Sequence, residues 1–203
     1  MVMVNRRIST VVMDFSKATI EAQFKDGSLV ATLSEGRWVT DDAAVVDEFV
    51  DMHNAGRIDL AMVVKHDAFE QLVGHKFFVV QHFFDRAIPK LENISAERMM
   101  ELVAALVRKG GTDLAANEPN RAFLEWCTNE PTRADFVIEA ARNGNELAQS
   151  HLTFALQARK DIGEAQKMTN DPRANVRLSA LTALSRIAHS TDDERAATIA
   201  ALR

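Results

Sequence analysis

Residues 171–184 read Asp171-Pro172-Arg173-Ala174-Asn175-Val176-Arg177-Leu178-Ser179-Ala180-Leu181-Thr182-Ala183-Leu184. An acidic residue followed by proline favours a tight turn into a new helix, because the fixed φ and missing N–H of proline are tolerated in a first helical turn. Val176, Ala180, Ala183, Leu184 and Ile187 then fall on one face at spacings of three and four. The two alanines let a second helix come close. The stretch predicts a buried helix over about 173–188, preceded by a short one from Asp161 to Thr169. Its turn also has a counterpart: Thr128-Asn129-Glu130-Pro131 matches Thr169-Asn170-Asp171-Pro172 at a separation of 41 residues, a period typical of two-helix repeats.

Outward from this stretch, the chain beyond Ser95 reads as helices at about 95–109, 119–128, 132–142, 145–160, 162–169, 173–188 and from 191, with prolines as punctuation. Thr191 and Glu194 form a capping box for the last. Over about 161–190 the pattern Asp171, Pro172, Val176, Arg177, Ala180, Leu184 resembles the HEAT repeat. The resemblance implies a short α-solenoid of HEAT-like helix pairs over 93–203, and for Arg177 a bond to the acidic turn residues of adjacent repeats. In the earlier copy Phe136 and Ala140 stand for Val176 and Ala180 at a spacing of 40, without the following arginine. Residues 198–203 keep an apolar stripe with no glycine stop. The expectation is that the repeats continue beyond the chain end or pack on a partner.

Residues 1–92 form a region of different character, mostly helical and mildly acidic. Ile20, Ala22 and Phe24 alternate with polar residues, as do Leu29, Ala31 and Leu33, around Asp26-Gly27. This reads as a β-hairpin, with a helix over Lys17–Lys25 stopped by Gly27 as the rival. A helix begins near Thr40, with Asp41 and Asp42 in its first turn and Val45, Val46, Phe49, Val50 and His53 as its stripe. A second runs from about Ile58 to Val73. Residues 76–88 carry Phe77, Phe78, Val79, Val80, Phe83, Phe84 and Ile88, apolar on nearly every side, and predict a central buried helix.

Composition narrows the function. The 203 residues are 47% hydrophobic, which provides for a core, and the net charge of −5 lacks the basic excess of a dedicated nucleic-acid binder. One cysteine, Cys127, excludes an internal disulfide framework and fits a reducing, cytoplasmic setting. No window reaches the roughly 18 apolar residues of a membrane span, so no membrane partner is expected.

No phosphate-loop, dinucleotide, HExxH, EF-hand or GxSxG signature is present, so the reading leans away from an enzyme and no cofactor is implied. His66, Glu70, His75 and His82, with Asp67 and Asp85, are the metal-ligand candidates, because imidazole and carboxylate bind divalent metals. On one continuous helix His66 and Glu70 oppose His75 and His82, and histidines at the margin of an aromatic core are the simpler reading. Cys127 reads as a packing residue. Asp135 and Glu139 read as an exposed face, with Arg142 placed to pair with Glu139. Arg133, Arg142, Arg159, Lys160, Arg173, Arg177 and Arg186 would be the basic stripe of a nucleic-acid-binding solenoid, a DNA-repair protein for example. The first expectation is a protein-protein interaction or scaffolding module within a larger protein or assembly. A nucleic-acid-binding protein is the alternative, and a metal-dependent enzyme using the His66–Asp85 cluster the third.

Overall fold

The computed structural model describes residues 15–36, 38–39, 42–111 and 117–188. The described residues are mainly helical and contain no strand. Where alternation predicted a hairpin there are two helices, α1 (Lys17–Asp26) and α2 (Leu29–Ser34). Ile20 and Phe24 alternate with Ala22 but also lie four apart, and one helical face suffices: Ile20 is fully buried and Phe24 packs beside it. Gly27, at φ 78°, ends α1 in the left-handed conformation. It is also a point of close approach, since a Cβ there would come within 2.3 Å of His66 Nε2.

α3 (Asp42–Asn54) buries Val46, Phe49, Val50 and His53 of the expected stripe, with Val45 only partly buried. Residues 40 and 41 lie outside the described residues. The single helix expected over 58–73 is two one-turn helices instead, α4 (Leu60–Val63) and α5 (Asp67–Glu70). Each has its own N-cap: Asp59 accepts from Ala61 N and His66 Nδ1 from Ala68 N. A cap inside an apolar run starts a new helix where periodicity alone sees one. α6 (His75–Ala87) is the central helix expected, and it runs into a 3₁₀ turn at Ile88–Lys90.

The rest follows the expected order: α7 (Ala96–Gly110), α8 (Glu118–Asn129), α9 (Pro131–Arg142), α10 (Glu146–Arg159), α11 (Ile162–Met168) and α12 (Ala174–Ala188). Ser95, Asn145 and Asp161 cap α7, α10 and α11 through their side chains. The helix from 191, its Thr191–Glu194 box and the stripe over 198–203 lie outside the described residues.

α3, α6, α8, α10 and α12 touch one another in that order, and α4, α7 and α9 form a second succession behind them. α11 joins the second through the Arg142–Glu164 ion pair to α9. The first row has a common register of buried residues. Val46, Phe49, Val50 and His53 of α3 correspond to Val80, Phe83, Phe84 and Ala87 of α6, then to Pro119, Ala122, Phe123 and Trp126 of α8. In α10 the set is Ala148, His151, Leu152 and Ala155, and in α12 Val176, Ala180 and Ala183. From Val46 to Val80, Pro119, Ala148 and Val176 the intervals are 34, 39, 29 and 28 residues.

The two turns of the 41-residue match join different helices. The first of the two turns leads from α8 into α9 of the second row, the other from α11 into α12 of the first. They are not equivalent places in the fold. Phe136, paired with Val176 by that match, is 42% exposed while Val176 is fully buried.

The buried core is continuous from Ile20 to Leu184, across the division at 92/93. Trp126 of α8 donates its indole N–H to the Leu91 carbonyl at 2.7 Å. Before α7 the core is filled by rings: Phe83 meets Trp38, Phe49 and Phe84 edge-on at 5.6, 5.1 and 5.4 Å. After it, alanines dominate: Ala134, Ala141, Ala148, Ala155, Ala165, Ala180 and Ala183 are fully buried.

Several polar ties between helices in the first two thirds of the chain span 36 to 40 residues. Asn54 donates to the Lys90 carbonyl 36 residues on, Lys65 to Glu101 at 36, Arg98 to Asp59 at 39, Arg108 to Glu70 at 38, and Asn129 to the Pro89 carbonyl at 40.

Candidate functional site

The candidate metal ligands do not assemble. His66 is the α5 cap lying against Gly27, Glu70 pairs with Arg108 at 2.7 Å, His75 opens α6, and His82 stacks on Trp38 with ring centroids 5.7 Å apart. Among the described residues no group of three or more His, Cys, Asp or Glu side chains is placed to hold a metal ion. The helical break at residues 64–66, together with Gly74, sends these residues to separate elements. Cys127 is fully buried, and burial pushes its thiol up to about 12, which leaves no thiolate nucleophile near neutral pH.

The candidate arginines are held by the protein itself. Arg133 lies over the Trp126 ring at 4.4 Å and bonds Glu130 at 2.9 Å. Arg142 bonds Glu139 and Glu164, and Arg159 bonds Asp135 at 2.8 Å. Asp135 and Glu139, read as an exposed face, thus each have an arginine. Arg186 reaches Gln157 and lies over the Phe154 ring. Lys160 ends α10 in the left-handed conformation.

The 171–184 turn divides its work differently from the family expectation. Arg177 donates to the Asp171 and Pro172 carbonyls of its own turn, both at 2.8 Å. Arg173 is the residue that reaches another helix: its guanidinium grips the Asp171 carboxylate through two nitrogens and donates to the Ala141 carbonyl at the end of α9. The Arg173 bonds hold the Asp171 carboxyl down at about 2. Position 173 sits before the first helical turn, close to the preceding unit, whereas Arg177 is a turn further on and folds back.

What the sequence did not single out by itself is a groove where α3, α6 and α8 meet, of about 530 Å³. α6 turns Val80, Phe83, Phe84 and Ala87 inward, which leaves His82, Asp85 and Arg86 on the opposite side, toward the groove. α8 supplies Glu118, Arg121 and Glu125 at helical spacing. The 3₁₀ turn supplies Pro89 and Lys90 as the floor, their carbonyls fixed by Asn129 and Asn54.

The cations of the groove have carboxylate partners: Arg86 bonds Asp42 at 2.7 Å, Lys90 bonds Asp47 at 2.6 Å, and Arg121 approaches Glu118 at 3.4 Å. Asp85 has none. Its Oδ1 is shut off from water and has no hydrogen-bond partner among the described residues. Burial, reinforced by the charge of Glu118 and opposed by Arg121, pushes its carboxyl up to about 7. An unsatisfied carboxyl in a cleft is uncommon in native structures and makes Asp85 a functional-site candidate. One signal was readable: Asp85 is the single carboxylate within residues 76–88.

Comparisons with known families, curated proteins and solved structures find no match for this chain.

Proposed function

We propose that this chain is a protein-interaction module built as a HEAT-like α-solenoid, whose recognition surface is the groove formed by α3, α6 and α8. The observation that supports the reading is the common buried register of α3, α6, α8, α10 and α12. It is what stacked helix pairs require, since each unit buries its apolar face only against its neighbours. Intervals of 28 to 39 residues accommodate one helix pair each, with the variation absorbed in loops and in the short α4 and α5. Such stacking holds exposed side chains at fixed separations, so a partner segment is bound at little ordering cost to the module. The arginines that would have formed a nucleic-acid surface serve as internal ties instead.

The test is capture from native lysate on the immobilised chain, with nuclease treatment, beside an Arg121→Glu/Glu125→Lys variant that alters only exposed groove residues. A nuclease-resistant protein retained by the wild type and lost by the variant is the expected result. Capture of nucleic acid alone, or of proteins indifferent to the variant, overturns the reading.

A further inference from the structure

We infer that the outward face of α12 is a second docking surface, and that its occupant is an acidic amphipathic helix of a partner protein. Apolar side chains of that helix lie against Leu178 and Leu181, and its carboxylates meet Arg177 and Arg186. The inference goes beyond the groove reading, because the groove is built by α3, α6 and α8 whereas this face belongs to α12, the last described helix.

α12 is apolar on two sides. Val176, Ala180, Ala183 and Ile187 form its buried side. At 100° per residue Leu178 and Leu181 fall on the opposite one, where a surface helix ordinarily carries polar residues. Leu178 is 67% exposed and Leu181 48%. The other large apolar side chains exposed among the described residues, Val39, Met62, Val73 and Phe136, stand one to an element. A single exposed side chain is ordinary, whereas two on adjoining ridges of one helix form a strip that a partner can cover.

Charge selects the occupant. α12 carries Arg177 and Arg186 and no carboxylate, and no other described helix longer than six residues lacks one. Arg177 shares an i, i+4 ridge with Leu181, and Arg186 lies two turns beyond Leu178 on the next ridge, so the guanidiniums flank the leucines. Both are held by neutral acceptors: Arg177 by the Asp171 and Pro172 carbonyls, Arg186 by Gln157 with the Phe154 ring beneath it. The nearby Asp171 carboxylate is already gripped by Arg173. An arriving carboxylate therefore gains charge-assisted bonds and competes with none already bonded to these two arginines. A helix with apolar residues three and four apart and Asp or Glu beside them satisfies the leucines and the arginines together. Nucleic acid would meet the arginines and leave the leucines in water. A second copy of the same face would set arginine toward arginine.

The experiment uses the full chain and a synthetic helical peptide of leucine and glutamate, with the leucines three and four apart, followed by amide NMR shifts. Beside it stand the same peptide with lysine for glutamate and a short single-stranded DNA. The leucine–glutamate peptide is expected to shift α12 resonances, to weaken as salt is raised, and to bind about tenfold less tightly to Leu178→Ser/Leu181→Ser. Arg186→Gln is expected to give a smaller loss and a shallower salt dependence. These substitutions lie at exposed positions, and the peptide comparison on the wild type needs no variant. Equal binding of the leucine–glutamate peptide by the double-serine variant and the wild type overturns the proposal, as does equal binding of the lysine peptide. Preferential binding of DNA at α12 overturns it, and so does self-association of the free chain that the double-serine variant abolishes, which assigns the face to a second copy. The groove variant Arg121→Glu/Glu125→Lys is expected to leave every one of these readouts unchanged, so a failure here and a failure of the groove reading are distinguishable.

Discussion

The helices before α7 and those after α8 keep one buried register by opposite means. Around α6, Trp38, Phe49, Phe83 and Phe84 fill the space between helices with rings set edge to face. Around α10, Ala141, Ala148, Ala155, Ala180 and Ala183 remove side-chain bulk, and α10 makes its most extensive contacts with α9 and α12. Rings tolerate wide, irregular separations and short helices such as α4 and α5. Alanines demand regular helices at close range, which is where the intervals settle at 29 and 28 residues.

The sharpest way to break this comparison is to empty one side and overfill the other. Phe83→Ala removes a fully buried ring that meets three aromatic neighbours. It is expected to cost about 3–5 kcal/mol in denaturant unfolding. Ala155→Leu adds bulk where α10 is pressed between neighbours, with an expected cost of about 1–3 kcal/mol. If Phe83→Ala were mild and Phe83→Leu equally so, the rings would not be what spaces the first helices. If Ala155→Leu were neutral, close approach would not define the second set.

A smaller effect has the opposite sign. Asp85 keeps its proton up to about 7 when folded, against 3.8 for the ordinary carboxyl. The folded state binds more protons between these values, so the contribution of Asp85 is fully present below 3.8 and is lost as pH climbs through 7. Asp85→Asn is therefore expected to be more stable than the wild type at about pH 8, by about 2 kcal/mol, and to match it near pH 4. His151, buried against Phe123, has its pKa lowered by burial, so its share of stability is lost as pH falls below the usual histidine value of 6.5. The pH course of unfolding for both chains measures this. The smallest expected effect is that of Arg173→Ala, which releases the tie from the Asp171 turn to Ala141. Faster hydrogen exchange confined to the start of α12 and the end of α9 is expected, with little change elsewhere.

Legibility followed the same division. Helices after Ser95 were readable because their signals are local: Ser95, Asn145 and Asp161 cap within a turn, and Asp171-Pro172 punctuates without help from elsewhere. In the first ninety or so residues the deciding partners are distant. Ile20 and Phe24 read equally as strand or helix until Gly27 and its contact with His66 are known. The common register itself escaped notice because its intervals vary from 28 to 39 residues, and Val50, Phe84, Leu152 and Ala180 share a position without sharing a side chain. The arginine stripe was visible, but not its partners. Asp85 was visible as one of six metal candidates and as the single carboxylate within 76–88; that its Oδ1 lacks a hydrogen-bond partner among the described residues is a property of three helices together.

The ties between units have a mechanical consequence. The polar ties given above cross 44 residues at most, from Asp42 to Arg86, so none of them joins the first of the described residues to the last. In the solenoid proposed above, tension would load each junction in turn, and the stack would yield as a series of small steps in place of one rupture. Each released unit of 28 to 39 residues would pay out roughly 100–140 Å of extended chain. A solenoid of the proposed kind bends and gives under load at its weakest junction while the units beyond it stay folded.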